Sequence, residues 1–171
     1  MARLTTKIII ATALLATAAC TTKRREELPP APVGSYAPAP QPQGPTGTDV
    51  IPGSAADFMR SVAGDTIRFA LDQFDIDAES RATLESQSVW LARYPNVRIT
   101  IEGHCDERGT REYNLALGDR RANAAKNFLA ARGVAPERIT TISYGKERPV
   151  ALGSDDESWA QNRRAVTIVI Q

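Results

Sequence analysis

The chain has 171 residues and a formal net charge of +1, with 42% hydrophobic and 24% charged residues. That length suits one domain with appendages and is short for two full domains. A near-neutral balance supplies no broad basic patch to displace counterions from phosphates, which argues against a nucleic-acid partner. Charge is uneven only before residue 28, where Arg3, Lys7, Lys23, Arg24 and Arg25 outweigh Glu26 and Glu27. The two cysteines, Cys20 and Cys105, make no disulfide framework, so an ordinary core must hold the fold.

Residues 1–19 read as an export signal. Arg3 and Lys7 give a positive start, and Ile8 to Ala19 is an apolar run broken only by Thr12 and Thr17. The run is too short for a stable bilayer span of ~20 residues. Its end, Thr17-Ala18-Ala19 before Cys20, resembles the lipobox of bacterial lipoproteins, with Thr17 where Leu is usual. The resemblance implies that Cys20 is lipidated. Thr21, where an Asp would signal retention in the inner membrane, points to the outer membrane. The competing reading is a plain secretory signal with Cys20 incidental.

From Cys20 to residue 56 the composition changes. Eight of the eleven prolines fall here, with few large apolar residues. Such a segment cannot bury enough surface to offset the entropy of ordering, so a disordered or extended tether is expected. Its Pro-x-Pro steps favour polyproline II, which at about 3.1 Å per residue reaches on the order of 100 Å. A spacer is favoured over a ligand for proline-reading modules, because nothing flanks these steps to sharpen a motif.

The globular domain is expected over 57–171. Residues 66–71 alternate, with Ile67, Phe69 and Leu71 on one face, and predict a strand. Asp77 is a good N-cap for a helix from Ala78 to Arg93, with Leu84 and Leu91 stacked and Trp90 nearby; Tyr94-Pro95-Asn96 stops it. Val97, Ile99 and Ile101 alternate with polar residues as a half-buried strand. A polar loop follows from His104 to Glu112, then a helix over about 114–132 with Ala122, Ala125 and Leu129 as its apolar stripe, Phe128 beside them and Gly133 at C′. Residues 139–144 predict a third strand, 145–162 a loop or short helix, and 165–170 a last strand with Val166, Ile168 and Ile170 on one face. The pattern is β-α-β-α-β-β: an α+β sandwich of one mixed sheet with helices packed on it.

The informative stretch runs from Gly103-His104-Cys105-Asp106-Glu107-Arg108-Gly109-Thr110 to Arg121-Ala122-Asn123. Asp106 lies just past a strand, and Arg121 lies one to two turns into the next helix. A strand-loop-helix unit brings these positions close. An acid and a guanidinium could then flank a small pocket suited to a zwitterion, the carboxylate taking an ammonium and the guanidinium a carboxylate. Helix-start N–H groups would help hold the anion. The alternative is a structural Asp106–Arg121 salt bridge in a polar loop.

These residues resemble the signature of the OmpA-like peptidoglycan-binding family. So do Phe69-Ala70-Leu71-Asp72-Gln73-Phe74-Asp75, Ile142-Ser143-Tyr144-Gly145-Lys146-Glu147-Arg148-Pro149 and Asn162-Arg163-Arg164-Ala165-Val166. The lipobox and the tether point to its lipid-anchored members. The resemblance implies that the ligand is the diaminopimelate of the peptidoglycan stem peptide. It gives Asp106 the ammonium and Arg121 the carboxylate, with Asp72 and Arg108 lining the cleft and Leu71, His104 and Asn114 as further candidates. It also implies Tol-system partners, TolB among them, a link from outer membrane to cell wall on the periplasmic side, and a part in envelope integrity and cell division. Cys105 stands where Ala or Thr is common in the family.

No cofactor is implied, and no enzyme activity. A thiol enzyme built on Cys105 and His104 is disfavoured because neighbours on a strand end point apart. One histidine, one spare cysteine and scattered carboxylates lack the spacing of a zinc site. A protein acting mainly through protein partners, without touching the wall, is the second reading.

Overall fold

The computed structural model describes residues 50–170. The expected signal, the lipidation site Cys20 and the proline-rich tether up to residue 49 lie outside the described residues.

The first element is helix α1, Ala55–Ser61, which straddles the expected boundary between tether and domain. Ser54 caps it by accepting from the Asp57 N–H, and Phe58 packs edge-on against Trp90 with ring centroids 5.0 Å apart. Such a short helix is marginal alone, so this aromatic contact stabilises it. Strand β1, Thr66–Arg68, is shorter than the alternation suggested. Ile67 and Phe69 are buried, but Leu71 is 50% exposed and leaves the core face. The ladder ends at Arg68 opposite Arg164, and the chain then turns away.

Helix α2, Ala78–Arg93, has the expected bounds, with Asp77 accepting from the Ser80 N–H and Leu84, Trp90 and Leu91 buried. Strand β2, Arg98–His104, follows. Helix α3, Arg111–Ala131, begins about one turn earlier than expected because Thr110 caps it, accepting from the Tyr113 N–H. At its far end Gly133 takes φ +91°, and the Val134 N–H reaches Leu129 O while the Gly133 N–H reaches Ala130 O. This is a Schellman closure, and Val134 joins Leu129 in the core. A 3₁₀ turn, Pro136–Arg138, leads to strand β3, Ile139–Gly145. The expected loop or short helix contains helix α4, Asp156–Asn162, and strand β4, Arg164–Ile170, ends the described chain.

The sheet order is β1-β4-β2-β3, with β2 and β3 parallel and the other pairs antiparallel. The mixed sheet with packed helices is the architecture the sequence pattern implied. Val166, Ile168 and Ile170 share a face as expected, and it is the more exposed one. Ala165, Thr167 and Val169 face the core, where the Thr167 hydroxyl donates to Gln87 Oε1 at 2.9 Å.

Packing of α3 on β2 needs two glycines. A Cβ on Gly103 would collide with the Gly118 carbonyl, and one on Gly118 would collide with Ser143 Oγ. This close approach sets the start of α3 beside the end of β2.

Candidate functional site

Sheet topology gathers four chain segments at one end. Because β4 is antiparallel to both β1 and β2, the exits of β1 and β2 flank the entry of β4. The exit of β3 adjoins that of β2 through the parallel pair. Lys146, just past β3, donates to Glu107 O at 3.0 Å and Gly109 O at 2.7 Å, tying down the loop between β2 and α3.

Asp106 is the acid of this cluster and is 5% exposed. Its Oδ1 accepts from the Arg108 N–H at 3.1 Å and from Arg108 Nε at 3.3 Å. Its Oδ2 lies 2.6 Å from a terminal nitrogen of Arg108 and 3.4 Å from one of Arg163. Burial pushes the Asp106 pKa up, but the bonds and charge of Arg108, with Arg163 behind them, hold it below the usual carboxylate range. It is therefore a desolvated anion at neutral pH, matched by guanidinium forks.

Arg121 does not pair with Asp106. It has no exposed surface, and among the described residues three of its N–H groups go to backbone carbonyls. Nε donates to Gln73 O at 2.9 Å, and the terminal nitrogens donate to His104 O at 2.9 Å and Ala70 O at 3.1 Å. The structural salt bridge weighed from the sequence is thus absent. Most of the Arg121 guanidinium is engaged with backbone carbonyls rather than facing solvent. Arg121 pins the stretch after β1 to the end of β2, with two of a guanidinium's five N–H groups left over.

The cleft itself has a volume of about 290 Å³ and is lined by Leu71, Asp72, Arg108, Gly109 and Tyr113. Leu71, Asp72 and Arg108 were expected there. Asp72 holds a left-handed backbone, φ 56°, a conformation Asp tolerates better than most residues. Asp106 is not itself a lining residue and meets the cleft through its bonds to the Arg108 guanidinium.

His104 and Asn114 are not lining residues of this cleft. The Asn114 side chain is buried and donates to Arg108 O at 2.7 Å and Thr110 O at 3.0 Å, so it shapes the loop from within. His104 is 2% exposed and neither ring nitrogen has a hydrogen-bond partner among the described residues. Its ring lies against Tyr144, and Glu102 Oε2 stands 3.5 Å from Nε2 without a hydrogen bond. Burial first, then the nearby Arg164 and Arg148, lower its pKa to about 4. Its contribution to the site is its carbonyl, which receives Arg121.

Cys105 and His104 do not meet as a catalytic pair. The Cys105 thiol donates to Asn114 O at 3.3 Å, and burial pushes its pKa up, which keeps it a protonated, weak nucleophile.

The sequence reading missed four residues. Gly109 and Tyr113 complete the cleft. Trp159 of α4 carries the Arg108 guanidinium 4.1 Å above its ring and donates from Nε1 to Glu107 Oε1 at 2.9 Å. Arg163 bridges Asp106 and Phe69 O, the latter at 3.1 Å from its Nε. Arg163 lay in a quoted motif, and Tyr113 and Gly109 lay inside the informative stretch; Trp159 had no signal beyond being an aromatic in a polar segment. A larger open groove of about 550 Å³, between Phe74–Ile76 and Asp119, Arg120 and Asn123 of α3, holds none of the expected site residues.

Comparison with known proteins bears on the family and the fold. Residues 68–163 match the model of the OmpA family. A peptidoglycan-associated lipoprotein of Rhizobium meliloti (strain 1021) is 59% identical over 118 residues, covering 69% of this chain and 66% of that one. A peptidoglycan-associated lipoprotein of Pasteurella multocida (strain Pm70) is 34% identical over 166 residues, covering 97% of this chain and 98% of its own. The crystal structure of the peptidoglycan-associated lipoprotein from Burkholderia pseudomallei superposes with a TM-score of 0.62 at 42% identity, covering 63% of this chain and 92% of that one.

Proposed function

Since the chain belongs to the OmpA family, we propose that it is an outer-membrane lipoprotein that binds peptidoglycan without altering it. The ligand is the free end of a diaminopimelate stem peptide, a zwitterion. The observation that carries this reading is Asp106: a nearly buried carboxylate, kept ionised by two guanidinium groups and bonded to the Arg108 that lines a cleft with Asp72. A buried anion favours an ammonium over water once that ammonium sheds its hydration into charge-assisted bonds, each contributing about 1.5–3 kcal/mol. The ligand carboxylate goes to the arginines, Arg108 at the rim and, once Arg108 moves, the remaining N–H groups of Arg121. Asp72, Leu71 and Tyr113 form the walls.

Lipidated Cys20 and the 20–56 tether hold the domain 57–171 near the wall on the periplasmic side of the outer membrane. A tethered domain meets wall peptides at high effective concentration, so modest affinity per site suffices. This links membrane to wall, supporting envelope integrity and division. Contacts with the Tol-system proteins, TolB among them, are proposed alongside. The exposed apolar Ile142, Ile168 and Ile170 of β3 and β4 support a protein partner on that side of the sheet.

Co-sedimentation of the full chain with purified diaminopimelate-type peptidoglycan tests wall binding. The chain is expected in the pellet, and excess free stem tripeptide is expected to release it. A chain that stays in solution, or that no stem peptide releases, sinks this reading in favour of protein partners alone.

A further inference from the structure

Asp106 as observed is not open to a ligand. Both oxygens are taken, and the side chain is 6% exposed. Some group must leave before an ammonium can arrive. Arg163 is held in place: its Nε is tied to Phe69 O and most of its side chain is buried. Arg121 is held by three carbonyls and makes no bond to Asp106. Arg108 differs from both. Its side chain is 37% exposed, and among the described residues its guanidinium bonds only to Asp106. Its other support is the face of Trp159.

The backbone around Arg108 is fixed independently of that guanidinium. Its N–H is held by Asp106 Oδ1 and its carbonyl by Asn114 Nδ2. A rotamer change therefore releases the carboxylate with no loop movement. The released group pivots from a residue that already lines the cleft with Leu71, Asp72, Gly109 and Tyr113.

Resting on the wall-peptide reading of this cleft, we infer that Arg108 is an exchangeable cap on Asp106. An incoming ammonium displaces the Arg108 guanidinium, and the freed guanidinium takes the carboxylate of the same ligand. The exchange makes the cleft selective for zwitterions. A zwitterion replaces one ion pair with two. An amine without a carboxylate leaves Arg108 stranded, and an acid without an amine meets an arginine already paired. Trp159 is the positioning residue that seats Arg108 in the closed arrangement, by a cation–π contact.

The test is calorimetric titration of the full chain with two ligands: a diaminopimelate tripeptide with its free zwitterionic end, and the same tripeptide with that end's carboxylate amidated. Wild type runs beside Arg108→Gln and Arg108→Ala, with folding checked by circular dichroism. The exchange predicts opposite signs. Both variants lose affinity for the zwitterion, by about tenfold or more, the scale of one charge-assisted pair. Both gain several-fold for the amidated ligand, because it no longer has to displace a paired guanidinium. If both ligands bind the variants more tightly, Arg108 is only a lid and another group takes the carboxylate. If the amidated ligand is unaffected or weakened, nothing is displaced and the exchange is wrong. If wild type binds neither ligand, the wall-peptide reading itself falls, which the variants' behaviour would not reproduce.

Discussion

A guanidinium without exposed surface must find its hydrogen-bond partners within the protein. Arg121 manages this with three carbonyl oxygens rather than with an acid. Those carbonyls belong to two chain segments, so the residue is a three-way clamp whose planar fork a lysine does not reproduce. Arg121→Lys is expected to cost about 3 kcal/mol, measured by urea unfolding, because buried carbonyls lose charged donors. A loss within a few tenths would show that the clamp carries no stability. His104 gives a pH dependence. Its neutral form is favoured in the fold, with the pKa lowered from 6.5 to about 4. Unfolding therefore takes up a proton between those values. The stability it supplies is complete above pH 6.5 and is lost as pH falls toward 4, by roughly 3 kcal/mol in all. Asp106, also lowered, acts in the same direction but at lower pH, below its ordinary 3.8. His104→Phe should flatten the stability curve between pH 6.5 and 4; an unchanged slope would show that another group titrates there.

At the scale of elements, close approach of β2 and α3 is the device that builds the cleft. Gly103→Ala drives a methyl into the Gly118 carbonyl, so β2 and α3 must separate. Overpacking of this kind costs typically ~1–3 kcal/mol, and the expected outcome is a lowered Tm together with weaker wall binding. A full-strength binder with normal Tm would mean the helix can shift freely. The same scale separates what the sequence made legible from what it hid. Helix ends were legible, because Asp77 and Gly133 act through bonds to their own helix. Thr110 lies within a polar run that reads as loop, so the first turn of α3, which it caps, is hidden in the sequence. The alternation of β4 was legible but not which face is buried, since apolar Val166, Ile168 and Ile170 lie opposite the side where Thr167 meets Gln87. Arg121 was legible as a site residue from its place in the strand-loop-helix unit and from a motif, but its bonding partners were not. Its partners Gln73 and Ala70 are 48 and 51 positions away, and no spacing rule reports such contacts. Trp159 was invisible for the same reason, being 52 positions from Glu107.

For the whole molecule, the proposed function needs a lipid anchor, a tether and a cleft that grips a charged peptide end. Its parts fail differently. Losing the anchor would leave a binder at large in the periplasm, whereas losing the cleft would leave an anchored domain with no hold on the wall. Salt should weaken wall attachment only moderately, because the key carboxylate is nearly buried and screening acts mainly on exposed charges. The most direct measurement compares wild type with Asp106→Asn in sedimentation with purified diaminopimelate-type peptidoglycan, using the full chain and confirming the fold by circular dichroism. Wild type is expected to pellet with the wall while the folded Asp106→Asn chain remains in solution. Equal pelleting of the two would contradict the proposed function, because an ammonium receptor that works without its charge is not the receptor described.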